Sequence, residues 1–232
     1  METIMRTSVK LLGAMLLAAG NILVLPASAQ IAPSAKQAAD LSGLLAAAYR
    51  GDIATLKTFL ANKAALETRD PQQRTAIHLA TYARQHEAIT LLAKAGADLN
   101  ALEFQRYDAV TIAAVANDEA TLALLLRLGA SAKNVTSPYD GTALIAAAHL
   151  GHVGVVRQLI AAGAPLDHIN NLHWTALIEA VVLGDGGPRH TEIVRLLLDA
   201  GANRKLADRE GKTPLQLAKA RGYQAMVKLL GP

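Results

Sequence analysis

The sequence predicts an all-α solenoid over residues 42–232: stacked helix-turn-helix units joined by polar, extended linkers. Two markers predict it. Gly-Ala recurs at 96–97, 129–130, 163–164 and 201–202, at intervals of 33, 34 and 38 residues. A polar residue suited to start a helix stands 21 residues before each of the first three glycines: Thr75, Asp108 and Thr142. Thr175 and Thr213 continue the series. Composition agrees, because the chain is 52% hydrophobic but only 3% aromatic, which favours helices over an aromatic-rich sandwich or barrel. With 18% charged residues it is too apolar to be disordered.

Residues 1–29 read as a signal peptide. Arg6 and Lys10 precede an apolar run from Leu11 to Leu25, and Ala27 and Ala29 fit a small-residue cleavage site before Gln30. The run is interrupted by Asn21 and is short for a bilayer that needs about 20 apolar residues. The expectation is cleavage after about Ala29, a periplasmic or secreted protein, and no membrane contact afterwards. Cleavage would remove Arg6, Lys10 and Glu2, lowering the formal charge by one from +4. A balance that mild, without a clustered basic stripe, predicts no nucleic-acid binding. Residues 30–41 read as a polar leader.

The units then follow at about 42–70, 71–103, 104–136, 137–170, 171–208 and 209–232. In each, a polar N-cap opens a short Ala-rich helix, as in Ala143 to Ala148. A turn follows, with glycine at 51, 151 and 222, then a second, amphipathic helix such as Val153 to Ala161. Glycine closes that helix where positive φ is needed. In unit one Ser42 takes the N-cap place and Lys63-Ala64 the Gly-Ala place. Thr175 lies 26 residues before Gly201, so unit five holds an insertion, read at Gly184 to His190 in the turn between its helices. One helix pair cannot bury its apolar face alone, so neighbours must stack.

The period and lettering resemble the ankyrin repeat, a 33-residue unit with a T-P-L-H-x-A signature. Here the signature stands as Thr75-Ala-Ile-His78-Leu-Ala80 and Thr213-Pro214-Leu-Gln-Leu-Ala218. Gly151-His152 matches the family's turn, and Gly96-Ala97-Asp98-Leu99-Asn100-Ala101 matches its unit ending. The resemblance covers residues 42–232. It implies short β-hairpin or loop fingers between the units, a structural His78, bonding the loop and its own N-cap, and a non-catalytic protein-binding surface. The chain also looks like small periplasmic ankyrin proteins of Gram-negative bacteria, some of them associated with peroxide defence beside catalases.

Catalytic chemistry finds little footing. With no cysteine there is no disulfide scaffold, thiolate metal site or thiol nucleophile. No G-x-S-x-G occurs, and Gly184-Asp185-Gly186-Gly187-Pro188 lacks the Lys-Ser/Thr of a phosphate loop. His149 and His152 are three apart near a helix end and could touch one metal, with His168 or His173 approaching. No third ligand is placed, so neither a metal nor a cofactor is expected, and the chain is not expected to be an enzyme.

Aromatic placement is the strongest pointer to a binding face. With each N-cap numbered six, the family's groove and finger tips comprise positions two, three, five, thirteen and fourteen. Phe104 falls at two, Tyr139 at three, Tyr107 and Trp174 at five, Tyr49 and Tyr82 at thirteen. Six of the eight aromatic residues thus share five positions, where an even scatter over 33 would put about one. Arg50, Gln72, Arg74, Gln105, Arg106, His149 and Asn171 are expected to supply a polar rim. Finger aromatics can instead simply pack on the next finger. The expected role is a monomeric, exported interaction module that binds another protein through its concave groove. The alternatives are an accessory factor for a periplasmic enzyme such as a catalase, or an immunity protein that inhibits a toxin.

Overall fold

The computed structural model describes residues 32–231. The signal-peptide reading and its cleavage site fall outside that range. Among the described residues there are thirteen α-helices and, in place of strands, one isolated bridge between Thr136 and Gly141. The fingers are therefore turns rather than paired strands.

The first helix, α1 (Ala35–Asp40), lies in the segment read as a leader. Ser34 accepts from the Gln37 amide and Gln37 reaches back to the Ser34 amide, a reciprocal cap. None of its residues is buried, so the cap, and not packing, defines it. The S-x-x-Q spacing was the available sign.

Six helix pairs follow. Their first helices are α2 (Gly43–Arg50), α4 (Ala76–Tyr82), α6 (Ala109–Val115), α8 (Ala143–Leu150), α10 (Ala176–Val182) and α12 (Pro214–Ala220). Their second helices are α3 (Ile53–Ala61), α5 (His86–Lys94), α7 (Glu119–Arg127), α9 (Val153–Ala161), α11 (Pro188–Asp199) and α13 (Gln224–Leu230). Each first helix packs on the next first helix and each second helix on the next second helix, giving two layers. Alanines at 80, 114, 148 and 180 are fully buried in the first layer, where a small side chain lets helix backbones approach. One apolar core runs from Leu44 to Leu230 through every pair.

The Gly-Ala marker has a local cause. Gly96, Gly129, Gly163 and Gly201 all have positive φ, between 77° and 97°. Each following alanine amide then donates to the carbonyl of a leucine five residues back: Leu92, Leu125, Leu159 and Leu197. Those four leucine side chains are themselves fully buried. The repeat marker is thus a helix terminator coupled to a core anchor. In unit one Lys63 adopts the left-handed conformation without glycine (φ 54°), and Ala64 closes onto the Phe59 carbonyl.

The insertion in unit five is held on both sides. Pro188 begins α11 one residue after the extended Gly187, so part of the insertion lengthens the helix. His190 is buried, with Nδ1 3.0 Å from Asp185 and Nε2 3.0 Å from the His149 carbonyl of the preceding pair. Tyr223 of the following pair donates to the Gly184 carbonyl at 3.0 Å. Gly184 has no room for a Cβ, which would meet the Ala180 carbonyl and the His190 ring.

Candidate functional site

Five fingers join the units, and one residue organises each. The side-chain oxygen of Asp70, Glu103, Ser137, Asn170 and Asp208 accepts the amides two and four residues ahead. These residues occupy position one, and only oxygen-bearing side chains occur there. Turn residues Gln73, Arg106, Asp140 and His173 take φ between 51° and 68°, where the last finger uses Gly211. Position one was absent from the aromatic count, although lining up the units displays it.

The fingers are tied into a row. The Phe104 amide donates to the Gln72 carbonyl, the Ser137 amide to Arg106 and the Asn171 amide to Tyr139, at 2.9–3.0 Å. Asn171 Nδ2 also donates to the Pro138 carbonyl, and Arg209 donates to the Asn171 carbonyl. His168 Nε2 lies 2.6 Å from the Asp140 carbonyl. These bonds fix the spacing between successive tips.

The residues assigned to a binding face divide by depth. Phe104 is 73% exposed and Tyr139 37% exposed, and Arg50, Arg106 and Asn171 are exposed too. Tyr49, Gln72, Tyr82, Gln105 and His149 are half-buried. Tyr107 and Trp174 are buried, and Trp174 belongs to the core. Arg74 is buried too and is not part of a polar rim. Its Nε donates to Asp70 Oδ2 at 2.7 Å and its Nη2 to Gln72 at 3.1 Å, because position one of that finger is an acid. Tyr49 and Arg50 sit in the pair without a finger, and the Tyr49 carbonyl accepts from Gln85.

The histidines serve separate structures. His78 Nδ1 faces the Thr75 amide at 3.1 Å, so it accepts and Nε2 carries the proton. Nε2 then donates to the Ala101 and Tyr107 carbonyls at 2.8 and 3.2 Å, tying α4 to the next finger. His152 Nδ1 lies 2.9 Å from the Ala114 carbonyl, while His149 Nδ1 lies 3.6 Å from Glu179 Oε2. The two neighbours in sequence are therefore committed to different pairs of units.

Glu179 was missed by the sequence reading. It occupies position ten, where Leu79, Ile112 and Leu217 stand in other units, and it is only 4% exposed. Its Oε1 accepts from Asn170 Nδ2 at 3.0 Å, whereas Oε2 has no hydrogen-bond partner. Burial pushes its carboxyl up to about 7. Burial has the opposite effect on His78, whose ring is driven down to about 4.

These shifts set opposite pH dependences. As pH falls from 6.5 to about 4, the unfolded chain takes up the His78 proton before the folded chain does, which costs about 3 kcal/mol of stability. Glu179 favours the folded state at low pH, and that advantage fades as pH rises from 4.5 through about 7. In a Glu179→Gln chain the urea midpoint is therefore expected to fall more steeply on acidification than in the native chain. The His78 Cε1 proton, followed by NMR, is expected to titrate near pH 4; a midpoint at the ordinary 6.5 would contradict the buried neutral ring.

These features define a two-layer helical solenoid with a row of bonded fingers. A family model described as "Ankyrin repeats (3 copies)" matches residues 21–103, 44–136 and 110–203. The chain belongs to the ankyrin-repeat family. It is 37% identical over 187 residues to the Escherichia coli ankyrin repeat protein YahD, covering 80% of this chain and 92% of that protein. A crystallised ankyrin repeat domain from Acinetobacter baumannii is 45% identical, with a TM-score of 0.76, covering 81% of this chain and 95% of that one. The solved complex of a predatory endopeptidase from Bdellovibrio bacteriovorus with an immunity protein contains a chain similar at 22% identity and a TM-score of 0.64. That match covers 82% of this chain and 97% of the other, and the likeness is one of fold.

Proposed function

We propose that this protein is a non-catalytic interaction module, exported to the periplasm, that binds a protein partner through its fingers and the adjoining face of the first-helix layer. One observation carries the reading. Among the described residues the exposed large hydrophobic side chains are Phe104, Val135, Tyr139 and Ile169, and all lie in three consecutive fingers. The bonds between fingers hold these side chains on a common, pre-ordered edge, which reduces the entropy lost on binding. Aromatic side chains with an exposed apolar face are the residue types that dominate interface energies. The signal-like residues 1–29 support export.

The test is a crosslinking capture from the exported fraction with the native chain and a Phe104→Ser/Tyr139→Ser chain. Both residues are exposed, so folding is expected to survive, as checked by melting. A protein captured by the native chain and lost with the double variant would support the reading, with at least a tenfold loss of affinity expected. Capture of one protein equally by both would place binding elsewhere. The partner's chemistry would then separate the narrower roles, accessory to a periplasmic enzyme or inhibitor of a toxin.

A further inference from the structure

Unit five departs from the repeat at two positions that touch. Position ten holds Glu179 in place of an apolar residue, and position one holds Asn170 where three of the other four fingers hold an acid. The substitutions are complementary. An acid at position one would face the Glu179 carboxylate, whereas the Asn170 amide donates to Glu179 Oε1 at 3.0 Å. Asn170 Oδ1 meanwhile accepts the Leu172 and Trp174 amides at 3.0 and 2.9 Å, and its own amide donates to the Trp174 carbonyl. One side chain thus connects the buried carboxyl to the whole fourth finger.

The other carboxyl oxygen is unfinished. Oε2 is buried without a hydrogen-bond partner, and His149 Nδ1 stands 3.6 Å away, beyond bonding distance. His149 comes from the preceding unit and is partly exposed, so its ring has room to move. The remaining groups are spoken for. From α11, His190 is held by Asp185 and the His149 carbonyl. From the α12 side, Arg221 donates to the Val182 carbonyl. On the finger itself, His173 is exposed at the turn.

We infer that Glu179, His149 and Asn170 form a proton-operated latch that sets how firmly the fourth finger is held against the stack. One proton is exchanged. With it on Glu179, the carboxylic acid can donate from Oε2 to an unprotonated His149 Nδ1. The bond from Asn170 to Oε1 is then a neutral one. When the proton is lost to solvent, the carboxylate keeps the bond from Asn170, now charge-assisted, but Oε2 no longer has a hydrogen to give, and neutral His149 can answer it only by shifting its ring proton from Nε2 to Nδ1. The buried charge is the costlier form, so the finger is held most firmly with the proton on and loosens as the carboxylate forms. The raised carboxyl of Glu179 and the lowered ring of His149, both caused by burial, put the change near neutral pH. In the reading proposed above, on which this consequence rests, partner contact at Tyr139, Ile169 and Asn171 weakens with rising pH.

Trp174 is the chain's single tryptophan and lies in the latched finger, so the switch has its own reporter. The experiment is a fluorescence titration of the full chain from pH 5 to 8.5, repeated with Glu179→Gln, His149→Asn and His173→Gln. The expected result is one transition with a midpoint of about 7. It disappears in Glu179→Gln, moves in His149→Asn and stays in His173→Gln. A flat native titration, or a transition unchanged in Glu179→Gln, would overturn the latch. If Glu179→Gln loses its far-UV circular dichroism, the carbon-13 titration of the native Glu179 carboxyl decides, and a midpoint near 4.5 overturns it. None of these readings needs a partner. Failure of the capture experiment and failure of the latch are therefore distinguishable.

Discussion

Replacing Trp174 with alanine is expected to lower the unfolding free energy by about 3–5 kcal/mol, the range for truncating a large buried aromatic. The residue is only 6% exposed and part of the continuous core. Its backbone is bonded in both directions to Asn170. Truncation removes apolar contacts and leaves a cavity that the flanking units fill only in part. Phe104→Ala is the matched control, because Phe104 is 73% exposed. It is expected to change stability by no more than about 0.5 kcal/mol. Urea denaturation of both variants, followed by circular dichroism, makes the comparison. Equal stabilities would return Trp174 to the binding face. The expected difference assigns it to packing and leaves contact to Phe104 and Tyr139.

Arg74→Ala is expected to cost a similar amount, about 3–5 kcal/mol, for an electrostatic reason. Arg74 and Asp70 form an ion pair at 2.7 Å with both side chains 2–3% exposed. Removing the guanidinium leaves Asp70 Oδ2 buried and charged without its partner, while Oδ1 keeps the Gln72 and Arg74 amides. Glu103, also buried and with its carboxyl raised by burial, lies close enough to feel Arg74, so the loss extends to the next finger. An Asp70→Asn/Arg74→Met chain is expected to recover most of the stability. Asparagine retains the oxygen that accepts the two amides, and methionine fills the space without a charge. A double variant no better than Arg74→Ala would show that the arginine acts through its bond to Gln72, and not by neutralising Asp70.

The period was legible because its causes are local. A polar N-cap, a glycine in the left-handed region and a buried leucine five residues before the alanine recur whatever the neighbouring unit contains. The same logic made His78 legible, since its partners are its own N-cap and the adjoining finger. The α1 cap is equally local, but its segment lacks the apolar periodicity that marks the units. Depth was not legible. Position five reads Arg74, Tyr107, Gly141, Trp174 and Lys212 down the stack. Arg74, Tyr107 and Trp174 are buried whereas Lys212 is exposed, so neither position nor residue type alone sets depth.

By itself the sequence determined the class of fold, the phase of the units, where helices start and stop, and that aromatic residues gather on one edge. Those outcomes rest on backbone geometry and hydrophobic periodicity, which act within a single unit. Only the tertiary structure decided which of those aromatics face solvent, that Arg74 belongs to Asp70, and that the insertion is clasped by His149 and Tyr223. It alone placed Glu179 between Asn170 and His149. The Asp70–Arg74 pair closes within one finger, while the clasp on the insertion and the approach of His149 to Glu179 join successive units; in each, desolvation and a specific partner, rather than residue type, set a side chain's depth and charge.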